Sequence, residues 1–396
     1  MDKIINLNFK IHISIISKKI KQGKLLSINI VKKSLQIGLN SAHKLSKTFK
    51  DTIYIKVDEQ IEFIFEGKCK VENSNLGVFE IDEHQNNQFY EFITVTRKYE
   101  HIYICSQLPL FNPYANTFFD LFNFIPKTLP QITVQDLSLK VNIFNNTFDY
   151  PILIAPMIGG IPLAHKLNLI LAKVACKYNV PMGVGSQKLA VLNSKYNQFY
   201  DIKKTHPNIF LIANIGFSML QSEHFLQDCI NVIDCIKADA LSLHVNVMQE
   251  FVQSEGHKEF DLELDKINQL VNKLPVPLLI KEVGCGIDVS TFEKLIKAGV
   301  KYIDISGKGG TSWNYIEMLR TSFKENTQML KNIAKWGIPT ALNLFALKDI
   351  LKNQNICLIA SGGIRDGMMI AKAIALGAST TGIALPFLQA SLQGQE

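Results

Sequence analysis

The chain has 396 residues, of which 47% are hydrophobic, and 42 Lys+Arg stand against 35 Asp+Glu for a formal net charge of +7. That composition excludes intrinsic disorder and a small disulfide scaffold; at about 100–200 residues per domain, or about 250 for a barrel, the length holds two domains or one barrel with an addition. No apolar stretch approaches the ~20 residues that cross a bilayer, so no membrane span is expected.

In chain order, residues 1–23 mix Ile with Lys and lack both an unbroken apolar core and a small-residue cleavage site, so they do not read as a secretory signal. The pattern predicts a helix within 28–49, alternating strands at 52–57 and 60–65, and hence a small N-terminal α+β extension over 1–90 without a catalytic motif. The polar stretch 82–88 is the best linker to a second domain, 91–396, in which 96–149 forms an arm leading into the first strand and contributing to substrate binding. From Tyr150 onwards, eight β-rich apolar runs recur with helical patterns between them: 152–155, 182–184, 210–213, 240–244, 278–281, 302–305, 357–360 and 381–384. Eight such units without an early GxGxxG turn predict an α/β fold, a (β/α)8 TIM barrel rather than an open doubly wound sheet. The longest interval, between the sixth and seventh runs, is expected to hold extra helices and a covering loop.

Seven cysteines (69, 105, 176, 229, 235, 285 and 357) form no CxxC pair, which favours reduced thiols in a cytoplasmic setting and leaves any metal to oxygen ligands. Arginine is confined to Arg97, Arg320 and Arg365, and no basic stripe is interleaved with aromatics, so nucleic acid is not an expected partner.

Polar and Gly-rich clusters follow the apolar runs directly, at the strand ends where barrels place their chemistry. After runs seven and eight, Gly362, Gly363 and Arg365, together with Ala384 and Leu385, suit a phosphate: glycines admit backbone N–H groups and arginine adds a fork. Ser306-Gly307-Lys308-Gly309-Gly310-Thr311-Ser312 offers further donors or is a plain flexible loop. Lys281 emerges from an apolar strand and needs an anionic partner, either a reduced flavin edge or Glu282. His244, Asn246, Gln249 and Glu250 crowd the end of run four, where Glu250 either binds Mg²⁺ or belongs to a solvated helix start. Arg97, Lys98 and His101 grip a second phosphate or form an ordinary basic turn.

Together these strings resemble the type 2 isopentenyl diphosphate isomerases, from about Thr96 to the C-terminus. The resemblance rests on Arg97-Lys98-x-x-His101, Ala155-Pro156-Met157-x-Gly159-Gly160, Gly185-Ser186-Gln187, Asn214-Ile215-Gly216, His244-x-Asn246-x-x-Gln249-Glu250, Lys281-Glu282-Val283-Gly284, Gly309-Gly310-Thr311-Ser312-Trp313, Trp336-Gly337-Ile338-Pro339-Thr340 and Gly362-Gly363-Ile364-Arg365, in family order. It implies an enzyme that interconverts isopentenyl and dimethylallyl diphosphate, dependent on FMN and Mg²⁺, with NADPH as reductant, and assembled as a homotetramer or homo-octamer. By the same carry-over, Met157, Ile158, Gly159, Ser186, Asn214, Lys281, Ser306, Thr311, Gly363, Arg365, Ala384 and Leu385 contact FMN. Arg97, Lys98, His101, Lys188, His244, Asn246 and Gln249 hold the substrate, with Gln249 and His244 closest to the reaction, and Glu250 binds Mg²⁺. An amide has no useful pKa near 7, so Gln249 is expected to position the alkene end rather than carry protons.

The sequence departs from the family at Ile158 (usually Thr), Lys188 (usually Arg), Ser254 (usually Pro), and His257 and Met369 (usually acids). Two other readings stay open: another FMN barrel that oxidises a small hydroxy acid or dehydrogenates a ring, and a degenerate flavin-binding scaffold. Three arginines in all make a carboxylate-gripping oxidase hard to build, and a dead scaffold should have lost Gln249 or Glu250.

Overall fold

A computed structural model describes residues 14–17, 25–31, 34–39, 48–58, 60–73, 76–109, 116–253, 256, 260, 263–320, 327–352 and 354–394. The chain divides into two compact units, 1–100 and 101–396. No helix among the described residues is long and apolar enough to cross a membrane.

The first unit is built on six strands, β1 (Ser14–Ser17), β2 (Leu25–Val31), β3 (Ser34–Leu39), β4 (Thr48–Asp58), β5 (Ile61–Asn73) and β6 (Leu76–Ile81), in the order β1-β4-β5-β6-β3-β2. Every pairing is antiparallel. The helix expected within 28–49 is therefore wrong where the chain is described, since those residues form β2, β3 and the start of β4, and 40–47 lie outside the described residues. Ile28, Val31, Leu35 and Leu39 are spaced for one helical face while Ile28 and Ile30 alternate as in a strand, and the pairing of Ile28 with Ile37 and of Ile30 with Leu35 decides for the sheet. The strands expected at 52–57 and 60–65 lie within β4 and β5. Along β5 the two-residue period is plain: Ile61, Phe63 and Phe65 are buried while Glu62, Ile64 and Glu66 are exposed.

Residues 82–88 are not a linker. They form a 3-10 turn at Glu83–Gln85 and the start of α1 (Asn86–Gln107), and Gln85 accepts the Glu66 N–H at 2.6 Å. Helix α1 carries Phe89 and Phe92 against Phe63 and Phe65, with ring centroids 5.2–6.0 Å apart between the helix and the strand. It runs through both the expected boundary at 90/91 and the division at 100/101, so the junction is helical.

The second unit is a (β/α)8 barrel. Strands β9 (Ile152–Ile154), β10 (Met182–Gly183), β11 (Leu211–Gly216), β12 (Ala240–Val245), β13 (Leu278–Glu282), β14 (Tyr302–Asp304), β15 (Cys357–Ser361) and β16 (Thr380–Ile383) pair in parallel and close between β16 and β9. All eight expected runs are present. Leu153, Ile212, Ala240, Leu279 and Ile359 fill the interior, while Ile154, Leu211, Leu241, Ile280 and Ile303 join the core shared with the helices, which is why each strand reads as a continuous apolar run.

A hairpin, β7 (Val141–Ile143) and β8 (Asn146–Phe148), plugs one end of the barrel. Phe144 lies 4.7 Å from Tyr302 and 5.5 Å from Phe210, and Phe148 lies 5.2 Å from Phe210, all measured between ring centroids. These partners sit at strand starts, so the N-terminal end is sealed and the C-terminal end is left for chemistry. The long sixth interval supplies α8 (Trp313–Arg320), α9 (Thr327–Ala334) and α10 (Thr340–Leu351), as expected.

Candidate active site

At the C-terminal end of the barrel, strand periodicity turns a polar residue of β11, β12, β13, β14 and β15 inward: Asn214, His244, Lys281, Asp304 and Ser361. Asn214 of β11 and His244 of β12 meet there, with Asn214 Oδ1 2.9 Å from His244 Nδ1. An amide oxygen can only accept, so Nδ1 carries the proton and Nε2 of the neutral ring is an acceptor. The loops below are held by Gln187, fully buried, which exchanges hydrogen bonds with the Asn214 backbone at 2.8 and 3.1 Å.

Lys281 of β13 does find an anion, but it belongs to the protein: Nζ donates to Asp304 Oδ2 of β14 at 2.9 Å and to the Glu282 carbonyl at 2.9 Å. Asp304 Oδ1 in turn accepts from Ser361 Oγ at 2.7 Å and from the Ser306 N–H at 3.0 Å. A lone acid inside run six, in register with Lys281 on the neighbouring strand, was the signal that could have found Asp304.

Glu282 points elsewhere, its Oε2 accepting the N–H groups of Val283, Gly284 and Cys285 at 2.6, 2.7 and 2.5 Å. Burial raises its carboxyl to about 7, against the opposing pull of those N–H groups and of Lys281. A raised carboxyl stabilises the fold below its unfolded value near 4.5, and that contribution is lost as pH rises through 7. Urea titrations at pH 5 and pH 8 should therefore show the wild type losing on the order of 2 kcal/mol relative to Glu282→Gln. Parallel behaviour of the two proteins would refute this.

A second network is carried by the helices. Asn246 caps the short α5 (Val247–Val252), and its Nδ2 donates to Gln249 Oε1 at 3.2 Å and to Glu250 Oε1 at 3.0 Å. Gln249 Nε2 donates to Glu317 Oε1 of α8 at 3.2 Å, and His101 Nε2 meets the same oxygen at 2.7 Å. Arg320 pairs with Glu317 Oε2. Glu317 is fully buried and joins His101, Gln249 and Arg320, and it is not among the residues that the sequence motifs mark. Its signal was Arg320, one of three arginines, placed three residues later on the same helix. Because Asn246 donates to one end of the Gln249 amide and Glu317 accepts from the other, the amide can face only one way.

Two glycine loops meet beside these networks. A Cβ on Gly310 would stand 2.7 Å from the Gly363 nitrogen, and one on Gly363 would stand 2.5 Å from the Gly309 carbonyl. Thr340 Oγ1 donates to the Gly362 carbonyl at 2.5 Å, and the Gly307 N–H to the Ser361 carbonyl at 2.9 Å. Gly310, Gly363 and Ile364 are buried, yet their N–H groups take no partner among the described residues. Buried donors of this kind call for an acceptor, and three together suit a phosphate. Burial also pushes the Arg365 guanidinium down from its ordinary value, which an anion beside it would reverse.

The other expected residues of the second unit follow the barrel strands. Met157, Ile158 and Gly159 follow β9; the Ile158 carbonyl accepts from Gly185 at 2.7 Å and from Asn168 at 3.1 Å, so the backbone holds this loop without the hydroxyl of a threonine. Tyr200 Oη donates to the Ser186 carbonyl at 2.5 Å, Lys188 opens α3 (Lys188–Leu192), and Ala384 and Leu385 open α12 (Leu385–Leu392). Ser306 stands at φ 37°, turned by its N–H bond to Asp304. Thr311 lies in the first glycine loop, its carbonyl against Gly284. Arg97 and Lys98 lie on α1 one turn before His101, in the first unit. Of the family departures, Ser254 and His257 lie outside the described residues. Glu250 supplies one carboxylate, and no group of three His, Cys, Asp or Glu among the described residues could hold a metal alone.

Comparison with known proteins gives the following. The family of FMN-dependent dehydrogenases matches residues 226–396. An isopentenyl-diphosphate delta-isomerase of Nostoc sp. is 41% identical over 302 residues, 76% of this chain and 86% of that protein. Those of Synechococcus sp. and Pyrococcus horikoshii are 37% and 36% identical, over 76% and 77% of this chain and 86% and 83% of theirs. A crystal structure of mandelate oxidase is 17% identical, with a TM-score of 0.46 over 75% of this chain and 80% of that one.

Proposed function

As the chain belongs to the type 2 isopentenyl-diphosphate delta-isomerases, we propose that it interconverts isopentenyl and dimethylallyl diphosphate with reduced FMN and Mg²⁺. The observation that carries this reading is the fixed Gln249 amide, held between Asn246 and the buried Glu317 at the barrel mouth. The reaction delivers a proton to an unactivated alkene and removes another two carbons away, and bound reduced FMN supplies the acid and base for it.

The protein's own residues bind, orient and keep water out. The N–H groups of Gly310, Gly363 and Ile364, with Arg365, hold the FMN phosphate, and Thr311, Ala384 and Leu385 flank it. Met157, Ile158, Gly159, Ser186, Asn214, Lys281 and Ser306 would line the ring system, and the Lys281 ammonium, held in place by Asp304, would supply positive charge there. Arg97, Lys98, Lys188 and His101 neutralise the diphosphate. His244 presents Nε2 to the substrate, and Asn246 and Gln249 set the position of the alkene end; precise placement of this kind is worth about a hundredfold in rate. Glu250 is the protein's ligand to Mg²⁺, a lone carboxylate being enough for a cation that shares its shell with substrate phosphate and water. NADPH would serve as the reductant of the flavin, and the enzyme works in the cytoplasm as a homotetramer or homo-octamer.

The test is conversion of isopentenyl diphosphate by purified protein with FMN, Mg²⁺ and NADPH. Gln249→Ala should lose about a hundredfold or more in kcat with flavin still bound. Turnover that needs no reduction of the flavin, or that survives in the variant, would reject the assignment.

A further inference from the structure

Between the 3-10 turn at Phe119–Leu121 and the β7–β8 hairpin, the chain runs as an irregular arm whose one turn is a 3-10 turn at Val134–Asp136. At its start it is rooted in the barrel: the Phe122 ring lies 5.8 Å from Phe345 of α10, and Lys372 of α11 (Gly367–Ala375) donates to the Phe119 carbonyl at 2.9 Å. Beyond that root, among the described residues no hydrogen bond ties 123–132 to anything.

Its side chains are apolar and face solvent. Ile125 is 93% exposed, Leu129 87% and Val134 79%, and Leu121, Phe124, Ile132, Leu137 and Leu139 are each half or more exposed. At roughly 150–200 Å² for a fully exposed large apolar residue, the eight present on the order of 900 Å². One partner in a standard protein interface contributes about 800 Å², and monomers seldom expose an apolar patch beyond a few hundred. A stretch this apolar and this poorly tied is the half of an interface.

We propose that this arm is the surface through which two copies of the chain associate. Three observations favour a second copy. The arm's area is already one partner's share of a stable dimer. Its charge is balanced, with Asp120, Lys127, Asp136 and Lys140 its charged residues, so it has no attraction for nucleic acid or an anionic bilayer. The helices at its root expose further apolar side chains, Phe345, Met368 and Ile374, which give an isologous partner a matching face. This goes beyond the isomerase reading and gives the oligomeric reading a location. It also joins assembly to the site, because Thr117, just ahead of the arm, packs its side chain against Gly309 and Gly363 of the glycine loops.

Sedimentation velocity of the full chain at about 10 µM, with and without the double substitution Ile125→Glu/Leu129→Glu, tests it. Both side chains are exposed in the single chain, so the variant should keep its circular dichroism and melting temperature. The expected result is a wild type at twice the 44.6 kDa chain mass or more and a variant shifted towards the single chain. A variant that keeps the wild-type assembly overturns the location while leaving the oligomer in place. A monomeric wild type overturns both, whether or not the arm then takes up phosphatidylcholine vesicles, and neither result touches the isomerase assay.

Discussion

Glu317→Gln should lower kcat/KM for isopentenyl diphosphate by about a hundredfold to a thousandfold and destabilise the fold by roughly 3–5 kcal/mol. The loss of activity follows from geometry: a neutral amide offers one accepting oxygen where the carboxylate offers two, so it cannot serve His101, Gln249 and Arg320 as before. The loss of stability has a different origin. Arg320 is 12% exposed at its side chain, and the substitution removes the carboxylate that pairs with it. The two effects can therefore be separated. Adding Arg320→Met should recover part of the stability without restoring activity, because it removes the charge that Glu317 balanced while the Gln249 amide stays loose. Steady-state kinetics and urea midpoints on both variants check this. A single variant within threefold of wild-type kcat/KM would remove Glu317 from the site.

Asp304→Ala should cost a similar 3–5 kcal/mol, for it leaves the Lys281 ammonium inside the barrel without a counter-ion and strands the Ser361 hydroxyl as well. Lys281 is 8% exposed at its side chain and cannot reach water instead. The double substitution Lys281→Met/Asp304→Leu should be less destabilised than Asp304→Ala, since a buried ion pair replaced as a whole by apolar groups of like size costs little. Flavin retention on gel filtration should fall in both proteins. If the double variant unfolds at lower urea than the single, the pair contributes by a route other than charge compensation.

The barrel was legible in the sequence because parallel strands buried on both faces write continuous apolar runs, and eight of them at βα spacing leave few alternatives. The first unit was legible only in part. Ile28, Val31, Leu35 and Leu39 satisfy a helical stripe while Ile28 and Ile30 suit a strand face, and what decides between them is a partner strand that no local window contains. The site divides along the same line. Gln249, Asn246 and Glu250 lie within one helical turn, so their spacing marks them. The worth of Glu317, by contrast, comes from His101, 216 positions earlier, and from Gln249, 68 positions earlier. Lys281 was seen to need an anion, but the register that brings Asp304 beside it is a property of the folded sheet.

The barrel closes where its first strand, β9, meets its last, β16. On the ribosome, the chain that has just made β9 must therefore wait for about 230 further residues before that edge is paired, roughly 12–45 s at 5–20 residues per second. Throughout that time the hairpin aromatics Phe144 and Phe148 precede strands that have not yet been made, and the β9 edge is open to other nascent chains. The strand that seals the barrel is thus the last of the eight to be made, and a chain shortened before β16 would leave one edge of its first strand unpaired.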